Sequence, residues 1–254
     1  MTHISYSELK NWDFCPFYHK IVYIDKIPAF RGNEYTAFGS AIHEVCEKKL
    51  LKEDIDFKDL FVEEFKSRLK VLHEDEVEFN LDRVKEMVPQ GIALLPEILP
   101  AVKEYFEDYE TISTEEMLMV PIEDSTYNFK GYIDAVFKTP DGKHHIVDWK
   151  SCSWGWDARR RADRLTTYQL TLYKHYYCKA HNVDPSIVET HFALLKRTAK
   201  KNLVEIFRVT SGKKKTQNAL KLLNMALYNI EKGRYIKKRT SCTKCIFHRT
   251  EHCP

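Results

Sequence analysis

The chain has 254 residues, 43% of them hydrophobic and 30% charged, an ordinary globular composition long enough for one large domain or a core with an inserted subdomain. No stretch approaches the roughly 20 apolar residues of a membrane span, and residues 1–10 contain no apolar signal core. A spanning helix is excluded, and the expected compartment is the cytoplasm, that of the host for a viral chain. The net charge of +3 conceals an asymmetry: residues 1–127 carry 14 Lys/Arg against 27 Asp/Glu, and residues 128–254 carry 26 against 10. An acidic half joined to a basic half points to a polyanionic partner on the basic side, with two solvated faces as the bland alternative.

In residues 4–24, Ser5 or Ser7 as cap and the run Leu9, Trp12, Phe14 and Tyr18 predict a short aromatic helix, followed by an extended piece at 21–23. Gly32 and Asn33 mark a loop. Ile42, Val45, Cys46 and Leu50 recur at helical spacing and predict a helix over 35–51. Residues 55–110 are acidic and helix-rich, interrupted by Pro89, Pro96 and Pro100, and read as a helical insertion. The period then changes to that of strands at 117–122, 128–137 and 144–149, separated by Asp124-Ser125 and Pro140-Asp141-Gly142, both turn chemistry. A helix over 163–181, strands at 191–195 and 203–209, and a helix over 213–232 follow. Ser211-Gly212-Lys213 lacks the earlier glycine of a phosphate loop, so no nucleotide site is assigned. This order predicts an α/β core with a mixed sheet.

Within the strands, Asp148 and Lys150 project to one face while Val147 and Trp149 point to the other. The preceding strand carries Gly131-Tyr132-Ile133-Asp134, and a hairpin would set Asp134 beside Asp148. Two carboxylates suit a hard divalent ion such as Mg²⁺ or Mn²⁺, which can polarise a phosphoryl oxygen, while a lysine adds positive charge where negative charge develops. D-x-K alone is a common surface ion pair. Asp148, however, follows an Ile-Val pair, an expensive place for an unpartnered charge.

Gly131-x-x-Asp134 followed by Asp148-x-Lys150 resembles the PD-(D/E)XK nuclease superfamily, and its RecB-like exonuclease branch in particular. That branch also has G-x-x-x-H on an early helix, matched by Gly39 and His43, and Q-x-x-x-Y after the catalytic strands, matched by Gln169 and Tyr173. The four motifs occur in the family's order over residues 39–173. The resemblance implies a restriction-endonuclease-like core, a mixed central sheet flanked by helices, as a single nuclease domain over 1–254 with the insertion at 55–110. It implies that His43, Asp134 and Asp148 bind Mn²⁺ or Mg²⁺, that Lys150 assists the hydrolytic water, and that Gln169 and Tyr173 contact DNA near the scissile phosphate. A satisfied core histidine and a helix-stabilising pair are the ordinary alternatives for His43 and for Gln169/Tyr173. The family's usual proline before the first aspartate is Ile133 here. Glu115 or Glu116, entering the first strand, is a further candidate carboxylate.

Cys242-x-x-Cys245 with Cys253 eight positions on is a metal-ligand pattern. His248 and His252 lie among them, so a local Cys₃His zinc site is one reading. Several RecB-like exonucleases carry one cysteine before the nuclease core and three after it, together holding a 4Fe-4S cluster, and 7–16 is similar to the segment in which that first cysteine sits. The resemblance therefore implies that Cys15, Cys242, Cys245 and Cys253 hold 4Fe-4S, with 233–254 closing onto Cys15 and Zn²⁺ as the alternative. Cys46, Cys152 and Cys178 read as packing residues, Cys152 being near enough to Lys150 to line the site.

Arg159, Arg160 and Arg161 follow the catalytic strand beside Trp154 and Trp156, cations for phosphates and aromatics for unpaired bases. The expectation is a metal-dependent DNA exonuclease acting on free, preferably single-stranded ends, in phage DNA metabolism, recombination and repair, or CRISPR adaptation. Without a motor it would need a helicase or recombination partner for unwinding. A catalytically idle or zinc-stabilised nucleic-acid-binding module is the alternative.

Overall fold

The computed structural model describes residues 2–254. In chain order they form β1 (His3–Ser5), α1 (Tyr6–Phe14), α2 (Pro16–His19), a π-helical turn (Lys20–Ile24), α3 (Glu34–Leu50), α4 (Phe57–Glu74), α5 (Leu81–Leu94) and α6 (Ile98–Phe106). Then come β2 (Glu110–Pro121), β3 (Asn128–Lys138), β4 (His144–Cys152), α7 (Ala158–Ala162), α8 (Arg164–His181), β5 (Val188–Lys196), β6 (Val204–Val209) and α9 (Lys213–Glu231). The strands hydrogen-bond in the order β1-β3-β4-β5-β6, with β2 also paired to β3. Pairing is parallel for β1/β3 and β4/β5 and antiparallel for β3/β4 and β5/β6, so the sheet is mixed and helix-flanked, as the sequence predicts. No helix among the described residues is long and apolar enough to cross a membrane.

The chain divides into two compact units, and β2 and β3 each run from one into the other. The larger comprises Arg31–Met117 and Tyr132–Ser211. Its α3 starts at a capping box: the Asn33 side-chain Oδ1 accepts from the Tyr35 and Thr36 N–H groups, and Thr36 Oγ1 accepts from the Asn33 N–H. From there Phe38, Ala41, Ile42, Val45 and Cys46 fall on one face and are fully buried. That face meets Ala135, Phe137, Val147, Trp149, Ala193 and Leu195 of the sheet in one core with α4, α5 and α6. Each large member contributes roughly 1.5–3 kcal/mol by leaving water. Pro89 lies inside α5, and Gly91 follows it because a Cβ there would sit 2.1 Å from the Phe61 ring of α4. On the other sheet face α8, capped by Asp163 and ended by Asn182 at φ 53°, packs on β4 and β5. Here Tyr177 Oη hydrogen-bonds His144 Nδ1 at 2.9 Å.

The smaller unit holds the segment up to Phe30, Leu118–Gly131 and Gly212–Pro254. Ser5 caps α1 by accepting the Glu8 N–H at 3.2 Å. Ala219, Leu222, Leu223, Ala226, Leu227 and Ile230 form the buried stripe of α9, which packs against α1. The extended piece predicted at 21–23 is instead the π-helical turn. Its β-branched residues favour a strand locally, but the turn buries Ile21, stacks Tyr23 on His19 at 5.0 Å and gives the Asp25 N–H to the Lys20 carbonyl. Strand β2 begins seven residues before the predicted one, and neither β1 nor α7 was legible. Each of these segments is short or half-exposed and so lacks a strong apolar period.

Candidate functional site

Asp134 and Asp148 lie where β3 and β4 part. The antiparallel ladder runs to Ala135↔Val147, and one step beyond it the Asp134 carboxylate, not a backbone carbonyl, accepts the Trp149 N–H at 2.6 Å. Even-numbered β4 positions face α8, so Asp148 and Lys150 share that face while Val147 and Trp149 enter the α3 core. Asp148 is 1% exposed; its Oδ2 is 2.5 Å from Lys150 Nζ but meets no hydrogen-bond donor in good geometry.

Two other elements complete the group. In α3, a Cβ on Gly39 would lie 3.2 Å from Ser151 Oγ, so the bare glycine lets the helix run close over β4. One turn later His43 Nδ1 reaches to 3.6 Å from Asp134 Oδ2. In β2, Glu115 sits at φ 46°, and the strand's alternation breaks just before it. That kink aims Glu115 at the others: its carboxylate, the His43 imidazole and Asp134 have ligand atoms all within 4.8 Å of one another. Glu116 points elsewhere and pairs with His181 at 2.5 Å. From α8, Gln169 Nε2 donates to Tyr173 Oη at 3.2 Å, one turn apart, and Tyr173 feels the charges of Asp148 and Asp134.

These groups perturb one another in a consistent way. Burial pushes Asp134 and Asp148 up to about 6, with Lys150 pulling back on both. Burial, then the Asp134 charge, raises Glu115 to about 7. Burial, then the Lys150 ammonium, lowers His43 to about 4. Burial opposes the Lys150 charge, yet the two aspartates together hold its pKa above the ordinary lysine value. Three crowded carboxylates, a neutral imidazole and an under-coordinated buried oxygen form a donor set that fits a hard divalent cation.

The sign of the pH dependence follows. The carboxylates must be ionised to hold a cation, so Mn²⁺ affinity measured by calorimetry falls as pH drops through about 7 to 6. The expected loss is roughly tenfold or more between about pH 7.5 and pH 5.5. Folded-state values above the unfolded ones mean that the folded chain binds protons more tightly. The chelated protein therefore gains stability as pH falls through about 6 towards about 4. A flat Mn²⁺ affinity over this range would refute the assignment.

Beyond Lys150 the chain presents Trp154, 78% exposed, and the exposed Arg159 and Arg160. Trp156 is 6% exposed, its ring against Phe192 and Phe207 and under the Arg160 guanidinium at 4.4 Å, so of the two tryptophans Trp154 offers a face. Arg161 is engaged by Glu205 at 2.6 Å and by the Trp156 carbonyl.

In the smaller unit, Cys15, Cys242, Cys245 and Cys253 line one small pocket with Tyr18 and His248. Backbone contacts close it: Ser241 Oγ donates to the Phe14 carbonyl at 2.5 Å, and the Lys238 N–H donates to Cys15 Sγ at 3.3 Å. Burial, then the neighbouring cysteines, raises the Cys245 thiol, since thiolates crowd one another unless something cationic binds them. His252 packs its ring on Phe247. Cys46 and Cys178 are buried, and Cys152 is half-buried.

The sequence profile of the PD-(D/E)XK nuclease superfamily matches residues 3–253. Among curated proteins, none matches the chain by sequence. Among solved structures, the chain is similar to a "Putative exonuclease" from Eubacterium rectale, with a TM-score of 0.63 and 16% identity over 99% of this chain and 90% of that one. At that identity the likeness is one of fold. It also matches the structure of SSO0001 at a TM-score of 0.39 and 14% identity over 91% of each chain, too distant to carry an argument.

Proposed function

The chain belongs to the PD-(D/E)XK nuclease superfamily, and from that premise we propose that it is a divalent-metal-dependent DNA exonuclease of the RecB-like branch, acting on free single-stranded ends. What supports this most is the meeting of Asp134 and Asp148 with Lys150 on one sheet face and with His43 from α3. When bound, Mn²⁺ or Mg²⁺ supplies the Lewis acidity that phosphodiester hydrolysis needs. Asp134, Asp148, Glu115 and His43 would hold it, the imidazole favouring Mn²⁺. Lys150, anchored on Asp148, keeps an ammonium where negative charge develops and orients the attacking water. Gln169 and Tyr173 steady the strand near the scissile phosphate. Arg159 and Arg160 meet the backbone, and Trp154 stacks on an unpaired base. A helicase or recombination partner would present the strand.

We assign a 4Fe-4S cluster to Cys15, Cys242, Cys245 and Cys253. What supports it is that the four cysteines line one small pocket and follow the one-before, three-after arrangement of the RecB-like exonucleases that the sequence resembles. The cluster's role is structural, tying the two ends of the smaller unit.

The test is digestion of single strands labelled at either end, with Mn²⁺ or with chelator, beside a circular single strand. The expected result is stepwise release from one end, no release under chelator, and a resistant circle. Cleavage of the circle at the linear rate, or digestion that ignores chelator, overturns the proposal.

A further inference from the structure

A second group of metal-ligating side chains sits on the opposite sheet face. His145 pairs in register with Glu189 across the parallel β4/β5 ladder, and His191 lies two residues beyond Glu189 on the same side of β5. One ligand atom from each falls within 4.8 Å of the others. His145 Nδ1 is 3.1 Å from His191 Nε2 and 4.0 Å from Glu189 Oε2. With bonds of about 2.0–2.1 Å, two ligands on a tetrahedral ion are separated by about 3.3 Å, so the imidazole pair already spans such an edge.

The surroundings orient the donors. Thr139 Oγ1 donates to Asp141 Oδ1 at 2.5 Å and therefore accepts from His145 Nε2–H at 3.0 Å. A neutral His145 with its proton on Nε2 turns its Nδ1 lone pair toward Glu189 and accepts from His191 Nε2–H. Carboxylate-backed imidazoles of this kind are the usual outer shell of metal-bound histidines. Arg208 holds Glu189 Oε1 at 3.2 Å and leaves Oε2 turned to the histidines. The His191 ring is 2% exposed beneath Tyr105 and Phe106 of α6, and its Nδ1 has no partner among the described residues. Protein atoms alone do not complete this hydrogen-bond scheme.

We propose that His145, Glu189 and His191 form a site for a zinc-type divalent ion, its fourth position open to the surface pocket beside Asp108 and Pro140. Two imidazoles and a carboxylate favour Zn²⁺ over the oxygen-loving Mg²⁺. The site is separate from the nuclease centre: His145 precedes Asp148 by three residues, about 10 Å along the strand, and faces the other way. The ion would clamp β4 to β5 below the catalytic carboxylate.

The test is zinc titration calorimetry on the intact chain with its cysteine site loaded and Mg²⁺ in excess, for the parent, His145→Gln, Glu189→Gln and Asp148→Asn. The expected result is one zinc equivalent in the parent and in Asp148→Asn, its loss in His145→Gln, and binding weakened roughly tenfold or more in Glu189→Gln. Should the histidine variant fail to fold, zinc-soaked parent crystals at the zinc edge give the answer through an anomalous peak between the three residues. Zinc uptake that is equal in the parent and His145→Gln, or that vanishes in Asp148→Asn, or a map with no peak there, overturns the site.

Discussion

Asp148→Ala is expected to abolish DNA cleavage, lowering the rate by at least roughly 10²–10³-fold, with no rescue by added Mn²⁺. The substitution removes one of the two aspartates from the donor set and leaves the Lys150 ammonium, 2.5 Å away in the parent, without its counter-charge. Asp148→Asn keeps the shape and removes only the charge, so the two variants separate electrostatics from packing. Lys150→Ala is expected to lose activity while retaining Mn²⁺ affinity, because in the proposed reading the lysine serves the attacking water and the developing negative charge and not the cation. The readout is single-turnover digestion of end-labelled strands beside Mn²⁺ calorimetry. An Asp148→Ala protein that digests strands like its parent would sink the nuclease reading, since no other carboxylate among the described residues lies beside Lys150 at that distance.

Cys15→Ala is expected to remove the brown colour, iron and acid-labile sulfide of the purified protein and to lower Tm by about 10 °C or more. In the proposed cluster Cys15 would be the one ligand from the start of the chain, with Cys242, Cys245 and Cys253, which line the same pocket, at the end. Without it the closing segment rests on contacts such as Ser241 on the Phe14 carbonyl, Lys238 on the Asp13 carbonyl and Phe247 against Tyr18. Ligand binding at such a site is folding free energy, of order 10 kcal/mol for structural metal sites. Several kcal/mol lost from a chain of this size shifts Tm by about 2–4 °C for each. Cys46→Ala, a buried cysteine in the α3 core, is the control: it costs packing and leaves the iron in place. Parent protein that is colourless and carries a zinc lost in Cys15→Ala would refute the cluster and leave a zinc clasp.

The α/β class was legible because hydrophobic period survives in single elements. The stripe Ile42, Val45, Cys46, Leu50 marks α3, and the alternation around Asp148 marks β4. The hairpin pairing of β3 with β4 was legible too, since a short turn at Pro140–Gly142 leaves antiparallel neighbours little choice of register. The π-helical turn was not, because Ile21-Val22-Tyr23 prefers a strand locally and is overruled by the burial of Ile21 and the stacking of Tyr23 on His19. Nor was the choice between Glu115 and Glu116, which rests on one left-handed residue in the middle of a strand.

Residue order alone was enough for the groupings carried by short spacings: the D-x-K carboxylate and ammonium, the helix that bears His43, the C-x-x-C pair. Those spacings act through local geometry, and local geometry is written in neighbouring residues. Folding in three dimensions decided the rest. It buried Trp156 under Arg160 and left Trp154 outside, and it turned Glu115 toward His43 and Asp134. It also brought His145 to Glu189 and His191 across a parallel ladder whose strands are joined by a whole helix. Such pairings depend on register between segments more than 40 residues apart, and no local pattern along the chain encodes that register.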